Sequence, residues 1–180
     1  MKGLIFNEFL EMVEEKFSYE MVDKIISSSN LPNDGAYTSV GTYPHAEMVA
    51  LVTNLSKQTN ILVPELLEIF GKHIFNIFTK SYSTFVNSYT NSFELLSHVE
   101  DTIHEEVLKL YPEAQLPSIV TEVRTDNEMS LIYKSSRAMS DLAKGLIYGC
   151  LNHFKEDGEI TELPIKEDKT EVEFILTMKV

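Results

Sequence analysis

The 180-residue sequence contains no tryptophan, only one cysteine, and far fewer cations than anions. Each shortage excludes something. A single thiol, Cys150, cannot close an intramolecular disulfide or build a multi-cysteine zinc site, and it suits a reducing compartment. Fifteen Lys and Arg against 28 Asp and Glu leave a formal net charge of −13. Nucleic-acid binding rests on cations that neutralise phosphates, so DNA and RNA are excluded as partners, and anionic membrane surfaces are disfavoured. No apolar run approaches 18 residues, so no membrane span is expected. The first residues, Met1 to Phe17, are interrupted by Glu8, Glu11, Glu14 and Glu15 and lack the apolar stretch of a secretory signal. The expected location is therefore the cytoplasm. There is no glycine-rich phosphate loop, no H-E-x-x-H zinc pair, and no local spacing that suggests a nucleophile–base triad.

What is present is an ordinary globular composition, 43% hydrophobic and 24% charged, at a length that suits one domain spanning residues 1–180. The first two-thirds read as helix. Leu4 to Lys16 carries apolar residues at 5, 6, 9, 10 and 13, and Tyr19 to Ser27 continues with 21, 22, 25 and 26. Ser28 to Tyr43 is rich in Ser, Asn, Gly and Pro and reads as a loop. Helices are predicted after Pro44 to about Thr59, from Pro64 into the high seventies, and from Ser92 to Tyr111, where Pro112 stops the last. Beyond Pro117 the texture changes. Ser118 to Arg124 and Glu128 to Ser135 read as strands around a Thr125-Asp126-Asn127 turn. Ala138 to Lys155 returns to helical spacing, and strands follow at Glu159 to Lys166 and Glu171 to Lys179. The whole is an α+β chain: a mainly helical N-terminal part packed on a C-terminal four-stranded antiparallel sheet.

Three features carry chemistry. On the helix from Ser92 to Tyr111 the apolar stripe is Leu96, Val99, Ile103, Val107 and Leu110. His104 lies at its edge beside Leu108 and Tyr111, while His98 points away. A lone histidine in such a place is more often structural than a metal ligand. Tyr133, Ser135 and Arg137 stand two apart, so an extended segment would present a phenol, a hydroxyl and a guanidinium on one face, a good receptor for carboxylates. The competing reading is a strand end in which Ser135 or Ser136 caps the next helix and Arg137 is exposed. On that next helix, Gly145 and Gly149 beside Leu142 and Leu146 admit close approach of another backbone or of a flat ligand; taken alone they are better read as ordinary helix packing, and Phe78, one turn from Ile74, is core by default. Taken together, an imidazole, a carboxylate receptor and apolar helical walls are what a haem pocket requires.

The start M-K-G-L-I-F, the block D-T-I-H-E-E-V, Pro117 thirteen residues after His104, Y-x-S-x-R at 133–137 and G-L-I-Y-G at 145–149 occur in an order and spacing that resembles the haem nitric oxide/oxygen binding (H-NOX) family, related to the sensor domain of soluble guanylate cyclase. The resemblance covers essentially the whole chain. It implies haem b (iron protoporphyrin IX) held between the helical part and the sheet part, with His104 as the proximal iron ligand and Tyr133, Ser135 and Arg137 as the clamp for its propionates. Ile5 and Pro117 fall where the family presses bulky side chains against the porphyrin. Phe9, Ile74, Phe78, Leu142 and Leu146 match positions on the distal side, where gas binds.

The resemblance also implies a ligand and a mode of action. Relatives that bind oxygen stably place a tyrosine five residues after the motif arginine; this chain has Leu142 there, Ile74 donates nothing, and Tyr148 and Ser140 fall off the Leu142/Leu146 face. The expectation is binding of nitric oxide and carbon monoxide, and exclusion of oxygen. Loss of the iron–histidine bond and relaxation of the haem would then signal to a separate protein, such as a histidine kinase or a cyclic-di-GMP enzyme, because the chain ends at Val180 without a fused cyclase or chemotaxis region. The cysteine-and-histidine zinc cluster of some bacterial relatives is absent, which argues against thiol-based redox sensing. The implied role is a sensor rather than an enzyme; the alternative is a haem enzyme or scavenger of nitric oxide or peroxide, for which the distal residues supply no acid or base.

Overall fold

In a computed structural model, which describes residues 1–179, apolar side chains recurring at 6, 9, 12 and 13 form the buried stripe of helix α1 (Gly3–Lys16). Val180, the last residue of the sequence-predicted domain, lies outside the described residues. Ser18 ends the break after α1 by accepting a hydrogen bond from the Met21 amide at 3.2 Å, which caps α2 (Tyr19–Ser28). Helix α3 (His45–Thr59) stops where Asn60 turns left-handed at φ 59°. Pro64 occupies the first turn of α4 (Val63–Ser81), where its missing N–H costs nothing. By its contacts the chain divides into two compact units, Met1–Phe70 and Gly71–Val180, and the division falls within α4. The first unit buries Phe6, Phe9, Met12, Ile25, Met48, Leu51, Leu55 and Phe70, with the rings of Phe9 and Phe70 edge to face at 5.1 Å.

In the second unit a short helix, α5 (Ser83–Val86), follows α4. The helix predicted from Ser92 to Tyr111 is not continuous. Asn91 caps α6 (Ser92–Ser97) through the Glu94 amide at 2.9 Å, and Glu94 reaches back to the Thr90 amide at 2.7 Å. A π-helical turn (Val99–His104) follows, in which the Ile103 amide reaches the carbonyl of His98 at 3.2 Å, five residues back. Regular winding resumes in α7 (Glu105–Leu110). The wider turn shifts the angular register, so the predicted stripe fails at its end: Leu110 is 57% exposed.

The strands fall as expected, β1 (Ser118–Thr125), β2 (Glu128–Lys134), β3 (Gly158–Pro164) and β4 (Glu171–Met178), in one antiparallel sheet of order β1-β2-β4-β3. Alternation along β4 buries Val172, Phe174 and Leu176, and these meet Met129, Leu131 and Tyr133 of β2 in the core of this unit. Helix α8 (Ser140–Phe154) covers the same core with Ile147, Cys150 and Leu151 and ends at Lys155 with φ 58°. A helical N-terminal part and a four-stranded antiparallel sheet make the α+β architecture read from the sequence.

Candidate functional site

His104 closes the π turn, and that turn decides its surroundings. Its Nδ1 lies 3.0 Å from Oε2 of Glu100, one turn earlier. A carboxylate only accepts, so Nδ1 carries the hydrogen, and the lone pair is left on Nε2, which has no hydrogen-bond partner among the described residues. The same Oε2 accepts the backbone N–H of Ile119 at 2.9 Å, at the start of β1. His104 lines a cleft of about 250 Å³ together with Glu100, Glu105, Leu108, Ala114, Leu116, Pro117 and Ser118. His104 and Pro117, thirteen residues apart in sequence, therefore share one wall. Glu100 went unnoticed in the sequence; its spacing of four residues before His104, on what reads as a helix, was the available signal.

The Y-x-S-x-R residues do not stand on one extended face. Strand β2 ends at Lys134, and the chain turns at Ser136 and Arg137, with Ala138 left-handed at φ 50°. Only Tyr133 belongs to the strand; it is 3% exposed, and its hydroxyl accepts the Met139 amide at 3.2 Å. Ser135 closes the turn by accepting the Arg137 amide at 3.3 Å, so it does not cap α8, whose N-cap position is Met139. The turn aims the Arg137 guanidinium at Gln115, with the backbone oxygen at 2.7 Å and the side-chain oxygen at 3.3 Å. Gln115 lies between Ala114 and Leu116 of the His104 cleft. Of the three, Arg137 reaches the loop beside His104, and it does so by way of a turn rather than by strand alternation.

The helices bearing the predicted distal residues are held closely. A Cβ added to Gly71 of α4 would strike the Leu142 carbonyl oxygen, the Leu146 nitrogen and the Gly145 carbonyl carbon of α8. Gly149 leaves no more room, since a Cβ there would come within 2.6 Å of Phe75 Cβ. The small residues of α8 therefore serve helix packing, the blander of the two sequence readings. Ile74, Phe78, Leu142 and Leu146 remain partly exposed within this tight pair. Ser140 is wholly buried, and its hydroxyl has no hydrogen-bond partner among the described residues. The ammonium of Lys72 covers the ring of Tyr148 at 4.8 Å. Of the two predicted residues in the first unit, Phe9 is buried and Ile5 is half-buried. Cys150 is buried, and loss of solvent, assisted by the charge of Glu156, pushes its thiol well above the usual range. Such a thiol is a poor redox sensor.

The donor set suits one kind of metal site. No group of three or more His, Cys, Asp or Glu able to hold an ion occurs among the described residues. A lone imidazole does not hold a bare ion, which needs three or four protein ligands, but it can hold an iron whose equatorial positions a macrocycle already fills. An oriented imidazole, with an arginine on the loop beside it, is compatible with haem. An α+β chain that presents such an imidazole fits the class of haem-binding domains, and the comparisons specify it. The family model described as Haem-NO-binding matches residues 2–162. The unliganded Fe(II) H-NOX protein from K. algicida is 46% identical, with 100% of this chain and 97% of that one covered and a TM-score of 0.94. The H-NOX from Shewanella woodyi, solved with IWP-051 bound in the Fe(II)CO state, is 38% identical over 99% and 95% of the two chains, with a TM-score of 0.84. An S. oneidensis H-NOX protein in the Fe(II)NO state is 26% identical, covered fully on both sides, with a TM-score of 0.91. The chain belongs to the haem-NO-binding, or H-NOX, family.

Proposed function

We propose that this chain is a gas sensor that binds nitric oxide and carbon monoxide on ferrous haem b, excludes oxygen, and reports to a separate signalling protein such as a histidine kinase or a cyclic-di-GMP enzyme. The observation that carries the reading is His104, its Nδ1–H committed to Glu100 and its Nε2 left as a ligand, beside Pro117 in one cleft. Haem would supply an iron with one open coordination position for a diatomic gas. His104 would hold that iron, and Arg137, Tyr133 and Ser135 would bind the propionates, Arg137 exchanging its contacts with Gln115 for a charged partner. Pro117 and Ile5 would press on the macrocycle, and Phe9, Ile74, Phe78, Leu142 and Leu146 would line its gas side.

Bound oxygen carries partial negative charge and gains from a hydrogen-bond donor; nitric oxide and carbon monoxide depend on one far less. Ile74, Phe78, Leu142 and Leu146 offer none. Ser140 stands two positions before Leu142, about 200° around the helix, and so on another face of α8. The same set lacks an acid or base for turnover, which supports a binding module over an enzyme. Release of His104 on gas binding would free the π turn and α7, elements with no fully buried residue, and this mobile segment would bias the state read by the partner.

The test is the visible spectrum of the ferrous protein and of His104→Ala, each titrated with nitric oxide and then exposed to air. The wild type should show an imidazole-ligated haem that takes up nitric oxide and forms no stable oxygen complex. An unchanged spectrum in His104→Ala would overturn the assignment of the ligand, and a stable ferrous–oxy spectrum would overturn the exclusion of oxygen.

A further inference from the structure

We infer that Glu100 is a positioning residue with two tasks: it tunes the basicity of the His104 nitrogen that faces iron, and it ties that imidazole to the first strand of the sheet. The inference rests on the haem reading above and goes beyond it. Two hydrogen bonds converge on a single oxygen. Oε2 of Glu100 takes Nδ1–H of His104 at 3.0 Å and the Ile119 N–H at 2.9 Å. An anionic acceptor on Nδ1–H draws that hydrogen away from the ring and enriches Nε2, which strengthens its bond to a metal; it also fixes the tautomer and the ring direction. Neutral acceptors do this less. The carboxylate therefore opposes loss of the iron–histidine bond, and its removal makes His104 easier to displace.

The second bond gives the link a direction. Ile119 lies two residues past Pro117, and both Glu100 and Pro117 line the His104 cleft. The π turn packs against β1, and the Glu100 bridge joins the ligand's own turn to the strand edge through a fixed backbone donor. A displacement of His104 that keeps its bond to Glu100 must either carry Glu100 away from Ile119 or pull the start of β1 along. Glu100 thus couples the histidine to the sheet.

A purely structural carboxylate would affect stability and leave the iron–histidine bond alone, so the readouts are spectroscopic. Glu100→Gln keeps the size and an accepting oxygen but removes the charge, whereas Glu100→Ala removes both. In the haem-loaded ferrous protein, the iron–histidine stretching vibration should fall in frequency in the order wild type, Glu100→Gln, Glu100→Ala. Haem should dissociate roughly tenfold faster from Glu100→Ala, the lower end of what loss of such a partner costs a metal site. Hydrogen exchange of the Ile119 amide should accelerate in Glu100→Ala and much less in Glu100→Gln. An iron–histidine vibration unchanged in both variants, with His104 still the ligand, would overturn the tuning role. Unchanged exchange at Ile119 in Glu100→Ala would overturn the tie to β1. Failure of the haem reading is a different result: His104→Ala would then leave iron ligation as it was.

Discussion

The segment that carries His104 and the helix that carries Leu142 and Leu146 are built in opposite ways. Helix α8 runs without a break for 15 residues, buries Ser140, Gly145, Ile147, Gly149, Cys150 and Leu151, and meets α4 with no room for a Cβ at Gly71. The π turn and α7 are six residues each and bury none fully, and Leu108 and Leu110 are 40% and 57% exposed. Local opening is cheapest where apolar contacts are few, and elements that move during function are drawn from that end of the range. The contrast is one of packing: α8 is firmly held, and the His104 segment is the part that opens more cheaply.

The sharpest way to break this comparison is a matched pair of leucines. Leu151 is 2% exposed within the core of the second unit, so Leu151→Ala should cost about 2–5 kcal/mol. Leu110→Ala should stay within about 0.5 kcal/mol. Urea unfolding of the two variants measures both, and equal losses would show that the His104 segment is as firmly packed as α8. A smaller effect is expected from Gly71→Leu. Its side chain must displace the Leu142 carbonyl or part the two helices, which should cost about 1–3 kcal/mol and lower Tm by roughly 2–4 °C for each of them in a chain of this size. An unaltered melting temperature would mean that α4 and α8 can separate freely, and α8 would not be firmly held.

Much of this contrast could be read from residues, and the rest could not for physical reasons. Alternation in β4 and the apolar stripe of α1 are periodic signals that burial then enforces, so these elements fell within a residue or two of their expected bounds. The π turn leaves no such mark: one extra residue per turn looks like a slightly imperfect stripe in the sequence, and it shows only in the Ile103–His98 hydrogen bond and the exposure of Leu110. Tyr133, Ser135 and Arg137 were picked out by chemistry, yet their arrangement depends on Ala138 taking φ 50°, a conformation that alanine does not advertise. Glu100 was hidden among Glu100, Asp101, Glu105 and Glu106, where any acidic side chain reads as a solvated face; its partner at Ile119 is nineteen residues away, and no local pattern reports it.

The electrostatic side of the comparison predicts the smallest effect. On the sheet, Glu173 accepts from the Ser130 hydroxyl at 2.6 Å and from the Arg124 guanidinium, and its side chain is 22% exposed. The Ser130 hydrogen bond first, and the Arg124 charge after it, hold its carboxyl below the usual carboxylate range. On α7, Glu106 meets Lys109 at 2.6 Å with both side chains more than half in solvent. A carboxyl whose pKa is lower folded than unfolded contributes stability that is complete above the unfolded value and is lost as pH falls through the folded one. Glu173→Gln should therefore lose about 0.5–1.5 kcal/mol at neutral pH, and the difference from wild type should close as the pH drops below about 4. Glu106→Gln should change nothing measurable at either pH, because an exposed pair is screened. Urea titrations at neutral and acid pH decide it: a Glu173→Gln deficit that persists in acid would mean that the loss is one of fit rather than of charge, and an equal pH-dependent deficit in Glu106→Gln would show that the His104 segment is held more tightly than its exposure implies.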